Sequence, residues 1–196
     1  MRKSEGSHTA QRSLARPLGL PHLGDRYSPN MTGFGFHDLL DANRKFADDF
    51  QYGGFDGIAR AGVAIVTCMD SRIDPLGMIG LKPGDAKIFR NPGGRVTEAA
   101  LEALILGVHL LNVERIMVIP HTRCAMTSST EEELHQKIEQ SAGTETVWQR
   151  FHVIHDQVAA LATDVQRVTS HPLVPGRIQV GGFIYDVDTG LLDQKF

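Results

Sequence analysis

Cysteine is scarce in this 196-residue chain, which holds only Cys68 and Cys124. Two thiols exclude a disulfide framework and leave room for one bridge at most. A chain without a secretory signal is expected where thiols stay reduced, in the cytoplasm, and that turns attention to metal binding or catalysis. Clustered positive charge is missing too. With a net charge of −3 and no long basic block, the chain offers no face for a phosphate backbone, so no nucleic acid partner is expected. Long apolar runs are also absent. The longest, residues 99–113, is interrupted by Glu102, His109 and Asn112 and reads as a core helix, so no membrane partner is expected either. No internal repeat is visible. What remains is an ordinary soluble composition, 41% apolar and 22% charged, in a length that suits one sizeable domain.

Residues 1–30 differ from the rest. Arg2, Lys3, Arg12, Arg16 and Arg26 stand against Glu5 and Asp25, with three prolines and no sustained period. An N-terminal arm over residues 1–35, flexible or packed on a partner subunit, is the favoured reading. An organelle-targeting peptide or a start at Met31 are the alternatives. Residues 36–196 form the second unit, the domain proper.

From residue 36 the pattern alternates. Phe36 to Phe50 has helical spacing, with Leu39, Leu40, Phe46 and Phe50 on one side, and Gly53, Gly54 and Gly57 end it. Val63 to Thr67, Ala86 to Phe89 and Arg115 to Pro120 read as short strands, the first and third of the kind buried on both faces of a parallel sheet. Thr97 is placed to cap a helix running to Leu111. Thr130 and Glu133 form a capping-box pattern opening a helix to about Gln140. Val147 to Val168 is expected as one long helix with the stripe Trp148, Phe151, Ile154 or His155, Val158, Leu161, Val165, Val168, forming core or dimer interface. Arg177 to Val187 is a last strand, which Asp188-Thr189-Gly190 turns toward Leu191 and Leu192. Strands alternating with helices predict an α/β fold with a mostly parallel sheet.

Both cysteines fall just after buried strands, where loops diverge and leave a crevice. Cys68 closes the strand from Val63, in VTCMDSR; His121 and Cys124 follow the strand from Arg115, in HTRC. If those strands are neighbours, two thiolates and an imidazole converge. That set suits zinc, with the fourth tetrahedral position left to water or to Asp70. A water bound there would have a pKa near about 7. Alternate residues of an extended chain face the same way, so Cys68, Asp70 and Arg72 share a side. Asp70 could orient a zinc-bound hydroxide or close the site by binding the metal itself, and Arg72 would hold it ionised and aimed. Cys68 as an inert buried thiol, or Asp70 and Arg72 as a structural ion pair, are the plainer readings. Gly93-Gly94 reads first as a tight turn packed on the zinc loop, and second as an anion cradle. His152 and His155 are expected as one exposed and one core-edge histidine, and His109 as a packing residue.

Cys68-x-Asp70-x-Arg72 followed by His121-x-x-Cys124 resembles the β-class carbonic anhydrases. RNPGGRVTEAALEALILGVHLL resembles that family's Arg-Asn-Ala-Gly turn and helix, and the ending GGFIYDVDTGLL its compact branch. The resemblance covers residues 36–193. It implies a parallel four-stranded sheet extended by an additional edge strand and flanked by helices. It implies zinc on Cys68, His121 and Cys124, an Asp70–Arg72 dyad, and reversible hydration of carbon dioxide to bicarbonate and a proton. A homodimer, sometimes doubled into a tetramer, is implied as well. Three positions depart from the family pattern: Pro92 in place of alanine, which removes a backbone donor; Ala125 in place of glycine, where a positive φ would be costly; and Arg123 between the ligands. Hydrolysis of carbon disulfide or carbonyl sulfide on the same scaffold, and a non-catalytic zinc module closed by Asp70, are the alternative functions. A cysteine nucleophile of phosphatase or sulfurtransferase type is disfavoured, because Asp70 would repel an anion beside Cys68.

Overall fold

The computed structural model describes residues 35–196. The expected arm over residues 1–35 therefore lies almost wholly outside the described residues. Residues Gln51–Phe196 make one compact unit. Helix α1, His37–Asp48, belongs to the other unit, residues Met1–Phe50, and buries none of its side chains. Phe36, Leu39, Leu40, Phe46 and Phe50 are each at least half exposed.

The compact unit is built on five strands: β1 Val63–Cys68, β2 Ala86–Asn91, β3 Arg115–Ile119, β4 Gln179–Tyr185 and β5 Leu192–Gln194. Their order is β2-β1-β3-β4-β5. The first three pairings are parallel and β4–β5 is antiparallel, as a four-stranded parallel sheet with an added edge strand requires. Strand β1 lies inside and every one of its residues is buried, which is why VAIVTC reads as a continuous run without polar alternation. On one face Ala64, Val66, Ile116 and Val118 meet Leu101, Leu104 and Val108 of helix α2, Glu98–Leu110, and Leu161 and Val168 of helix α5, Gln157–Thr169. On the other, Val63, Ile65 and Ile119 pack with Met78, Ile79, Leu81, Met117 and Phe183.

Helix starts follow local chemistry. The Thr97 hydroxyl accepts the Ala100 N–H and opens α2. Beyond a single turn α3, Ala125–Ser128, helix α4, Glu131–Ala142, begins with the expected capping box of Thr130 and Glu133. Helix α5 corrects the sequence reading. It starts only at Gln157, capped by Asp156, so residues 147–156 are not helical and Trp148 is 77% exposed. Tertiary partners claim that backbone: the Phe151 N–H donates to the Glu131 carboxylate at 2.9 Å and the Ile154 N–H to the Met126 carbonyl at 2.7 Å. Periodicity cannot register such bonds. His152 and His155 on this segment are both exposed, so neither sits at the core edge.

Candidate metal centre

Strands β1 and β3 are direct neighbours, with Thr67 opposite Ile119, so the residues that leave their tips emerge side by side. The Thr67 hydroxyl tightens that junction by donating to the Ile119 carbonyl at 2.7 Å. Cys68, His121 and Cys124 are brought together: one ligand atom from each lies within 4.8 Å of the other two, and all three residues are buried. The two Sγ atoms are 4.0 Å apart.

His121 is held on every side but one. The Tyr185 N–H donates to the Pro120 carbonyl and the Thr122 N–H to the Tyr185 carbonyl, each at 2.9 Å, while Gln157 Nε2 donates to the His121 carbonyl at 2.9 Å. Nδ1 lies 2.9 Å from the Thr122 carbonyl; because a carbonyl only accepts, Nδ1 carries the proton and Nε2 keeps its lone pair. His121 is fully buried, and its Nε2 has no hydrogen-bond partner. A buried polar atom left unpaired is costly. A lone pair without a donor, beside two sulfurs, fits a soft or borderline divalent cation in chemistry as well as position.

One of the two thiols, Cys68, is already biased toward the thiolate that binds a metal. A hydrogen bond from Cys124, aided by backbone N–H groups including that of Gly93 at 3.3 Å, pulls Cys68 down to about 4. The same shared bond, and then burial, push Cys124 up. One proton thus serves both sulfurs.

Asp70 and Arg72 form the expected pair. Arg72 Nε donates to Oδ1 at 2.9 Å and NH2 to Oδ2 at 2.7 Å, and the Arg72 backbone N–H adds a bond to Oδ1 at 2.9 Å. The side-chain bonds from Arg72 hold the Asp70 carboxyl far below the usual carboxylate range. Arg72 is raised in turn, first by the Asp70 bond, with the charge of Asp188 contributing. Asp70 Oδ2 stands 3.7 Å from His121 Nε2, facing the ligand cluster without bonding to it. Sequence reasoning missed what Arg90 does: its guanidinium bonds the carbonyls of Cys68, Asp70 and Ile73 at 2.8, 2.5 and 3.2 Å, clamping the loop after β1. The only trace of this in the sequence is a charged residue at a strand end.

The three departures resolve individually. Pro92 opens a single 3₁₀ turn, Pro92–Gly94, where its missing N–H would have had no intrahelical partner. Ala125 is helical, as the first residue of α3, so no positive φ falls on it. That conformation falls on Arg123 instead, with φ 53°. For a residue with a Cβ this costs about 1–2 kcal/mol. The Arg123 side chain pairs with Asp188 at the surface, and both are about 60% exposed. Gly93 and Gly94 make the expected tight turn, with φ of 80° and 65°, and Gly94 packs against the Thr67–Cys68 backbone.

Comparison with known proteins follows the same lines. A model of the carbonic anhydrase family matches residues 63–148. Beta-carbonic anhydrase 1 of Mycobacterium tuberculosis is 32% identical over 157 residues, spanning 80% of this chain and 95% of that protein. A carbon disulfide hydrolase of Acidithiobacillus thiooxidans is 29% identical over 150 residues, spanning 65% of this chain and 74% of its own. The crystal structure of carbonic anhydrase from Streptococcus mutans superposes with a TM-score of 0.74 at 32% identity, covering 83% of this chain and 98% of that one. No helix among the described residues is long and apolar enough to cross a membrane.

Proposed function

Because the chain belongs to the β-carbonic anhydrase family, we propose that it catalyses the reversible hydration of carbon dioxide to bicarbonate and a proton, with zinc on Cys68, His121 and Cys124. The observation that carries this reading is the unpaired, fully buried Nε2 of His121 beside two sulfurs. Zinc held there supplies the Lewis acidity that makes water a nucleophile near neutral pH. The chain's own groups do the rest. Asp70, kept ionised by Arg72, accepts a hydrogen bond at its carboxylate and turns the attacking water's lone pair toward the substrate carbon. Arg90 fixes the carbonyls on either side of Asp70, so the carboxylate is aimed before substrate arrives. Support for a catalytic site over a closed, non-catalytic one comes from Asp70, whose two oxygens are both committed to Arg72.

Metal analysis joined to a stopped-flow hydration assay, from about pH 6.5 to about 9, tests the reading around the expected acidity of the bound water. One zinc per chain and turnover of carbon dioxide are the expected results. A reduced protein without metal, or a zinc-loaded protein without turnover, would overturn it. The relationship to the carbon disulfide hydrolase of A. thiooxidans favours a second reading, hydrolysis of carbon disulfide or carbonyl sulfide. Parallel assays with each gas decide between them. The exposed apolar side of α1 supports a homodimer, or a dimer of dimers, in which a second copy covers that face and residues 1–35 act as its arm. Sedimentation of the full chain against one lacking residues 1–50 checks it. The two free thiols, Cys68 and Cys124, support a working site in a reducing compartment such as the cytoplasm.

A further inference from the structure

The geometry points to Asp188 as a positioning residue for the Asp70–Arg72 pair, acting through the backbone of Arg123. The assignment rests on the reading of Asp70 and Arg72 given above. Among the described residues, Asn112 and Arg123 alone have positive φ without being glycine. Asparagine visits that region readily; arginine needs to be held there.

The hold comes from the turn between β4 and β5. Asp188 pairs with the Arg123 guanidinium across 65 residues of sequence. Asp188 is itself fixed, because its N–H and that of Thr189 donate to Asp186 Oδ1 at 2.8 and 3.2 Å, and the Gly190 N–H closes the turn on the Asp186 carbonyl at 2.8 Å. One residue before Arg123, the Thr122 hydroxyl accepts the Val187 N–H at 3.1 Å. The loop from His121 to Cys124 is thus stitched to residues 185–188.

What this achieves is visible at Arg72. The Arg123 carbonyl accepts from Arg72 NH2 at 3.3 Å, and that same nitrogen donates to Asp70 Oδ2 at 2.7 Å. The left-handed turn at Arg123 gives the Arg72 guanidinium an acceptor outside its own loop. The Arg72 side chain is 40% exposed, so without that acceptor it is free to swing toward solvent and take the Asp70 carboxylate with it. Asp188 touches neither metal ligands nor substrate; beyond a minor charge effect on Arg72, its influence runs through the Arg123 backbone.

Two readouts on the zinc-loaded protein test this: hydrogen exchange at the Arg72 Nε–H by NMR, and kcat against KM for carbon dioxide. Asp188→Asn is expected to speed the Arg72 exchange and lower kcat, each by about three- to fivefold, the reach of a surface ion pair. KM and zinc content should hold, and Asp188→Glu should recover most of both effects. In an Arg123→Gly background, where no Cβ opposes the positive φ, Asp188→Asn should lose most of its effect on both quantities, leaving only the small direct pull of its charge on Arg72. Arg123→Ala, with a Cβ and no partner for Asp188, should do worse than Arg123→Gly. An Asp188→Asn effect of equal size in the glycine background would overturn the proposal, since Asp188 would then act through space. Unchanged Arg72 exchange, or zinc loss in Asp188→Asn, would overturn it as well. The exchange readout stands even if the chain does not hydrate carbon dioxide, so failure of this inference is distinguishable from failure of the function assigned above.

Discussion

In Gly94→Ala the added methyl would stand 3.0 Å from the Cys68 backbone nitrogen, 3.0 Å from the Thr67 carbonyl carbon and 3.2 Å from the Ile119 carbonyl oxygen. Those atoms belong to the two strand ends that deliver the metal ligands, and none is the yielding tip of a side chain. The residue also sits at φ 65°, which costs a non-glycine residue about 1–2 kcal/mol. Forcing a methyl into packed backbone adds about 1–3 kcal/mol, and the stiffer unfolded chain returns about 0.4–1 kcal/mol. A net loss of about 2–4 kcal/mol corresponds to a Tm drop near 10 °C at this chain length, on the order of 2–4 °C per kcal/mol. Gly93→Ala is the matched control. Its φ of 80° carries the same conformational cost, but the nearest atom is Ile154 Cδ1 at 2.6 Å, which a rotamer change can move. Calorimetry on both variants with and without zinc, and competition titration of zinc affinity, make the comparison. Gly94→Ala should be the less stable by at least about 1 kcal/mol and should bind zinc at least about tenfold more weakly, because relief of the clash spreads the tips of β1 and β3. Equal stability, or unaltered affinity in Gly94→Ala, would refute the claim that this turn is packed onto the ligand-bearing backbone.

Asp70→Asn should keep its zinc by metal analysis and lose at least about a hundredfold in kcat, the lower range for a proton-handling group. Since Arg72 holds the Asp70 pKa down, the stability this pair contributes is present above the ordinary carboxylate range and is lost only as pH falls below it. Urea midpoints of wild type and Asp70→Asn should therefore keep a constant gap from pH 8 to about 4 and converge below it. Asp164 is 3% exposed and accepts from Arg95 Nε at 2.6 Å, NH2 at 3.2 Å and the Val96 N–H at 3.2 Å, tying α5 to the segment before α2. Asp164→Ala should cost about 2–4 kcal/mol in urea denaturation, less than a wholly buried pair because the Arg95 side chain is 29% exposed. Chelation should expose an apo state in which the Cys68 and Cys124 sulfurs, 4.0 Å apart with Cys68 largely thiolate, oxidise together. A thiol titration after chelation and mild oxidant should fall from two groups per chain to none, whereas the zinc-loaded protein should keep both.

The convergence of Cys68, His121 and Cys124 was legible because its signals are local and strong: buried apolar runs that stop at Cys68 and just before His121, and a two-residue spacer between His121 and Cys124. The caps at Thr97 and Thr130 were legible for the same reason, since a capping hydroxyl and its N–H are three residues apart. What sequence could not convey was competition from afar. Trp148, Phe151 and Ile154 keep helical spacing, yet Glu131 and Met126 take the backbone N–H groups that a helix would have used. Arg90 clamps carbonyls, which leave no side-chain signature in the sequence. The positive φ at Arg123 left no trace either, since Asp188, which pairs with its side chain, lies 65 residues away.

The adjacency of β1 and β3, with Thr67 opposite Ile119, makes ion uptake a proofreader of assembly. Offset these strands by a single residue and Cys68 turns to the opposite side of the sheet from His121. Such a misaligned chain would have no grip on a metal ion and would gain nothing from its presence, while the correctly aligned one would be stabilised in proportion to how tightly it binds. A metal held by Cys68, His121 and Cys124 would therefore favour the one register that brings these ligands together.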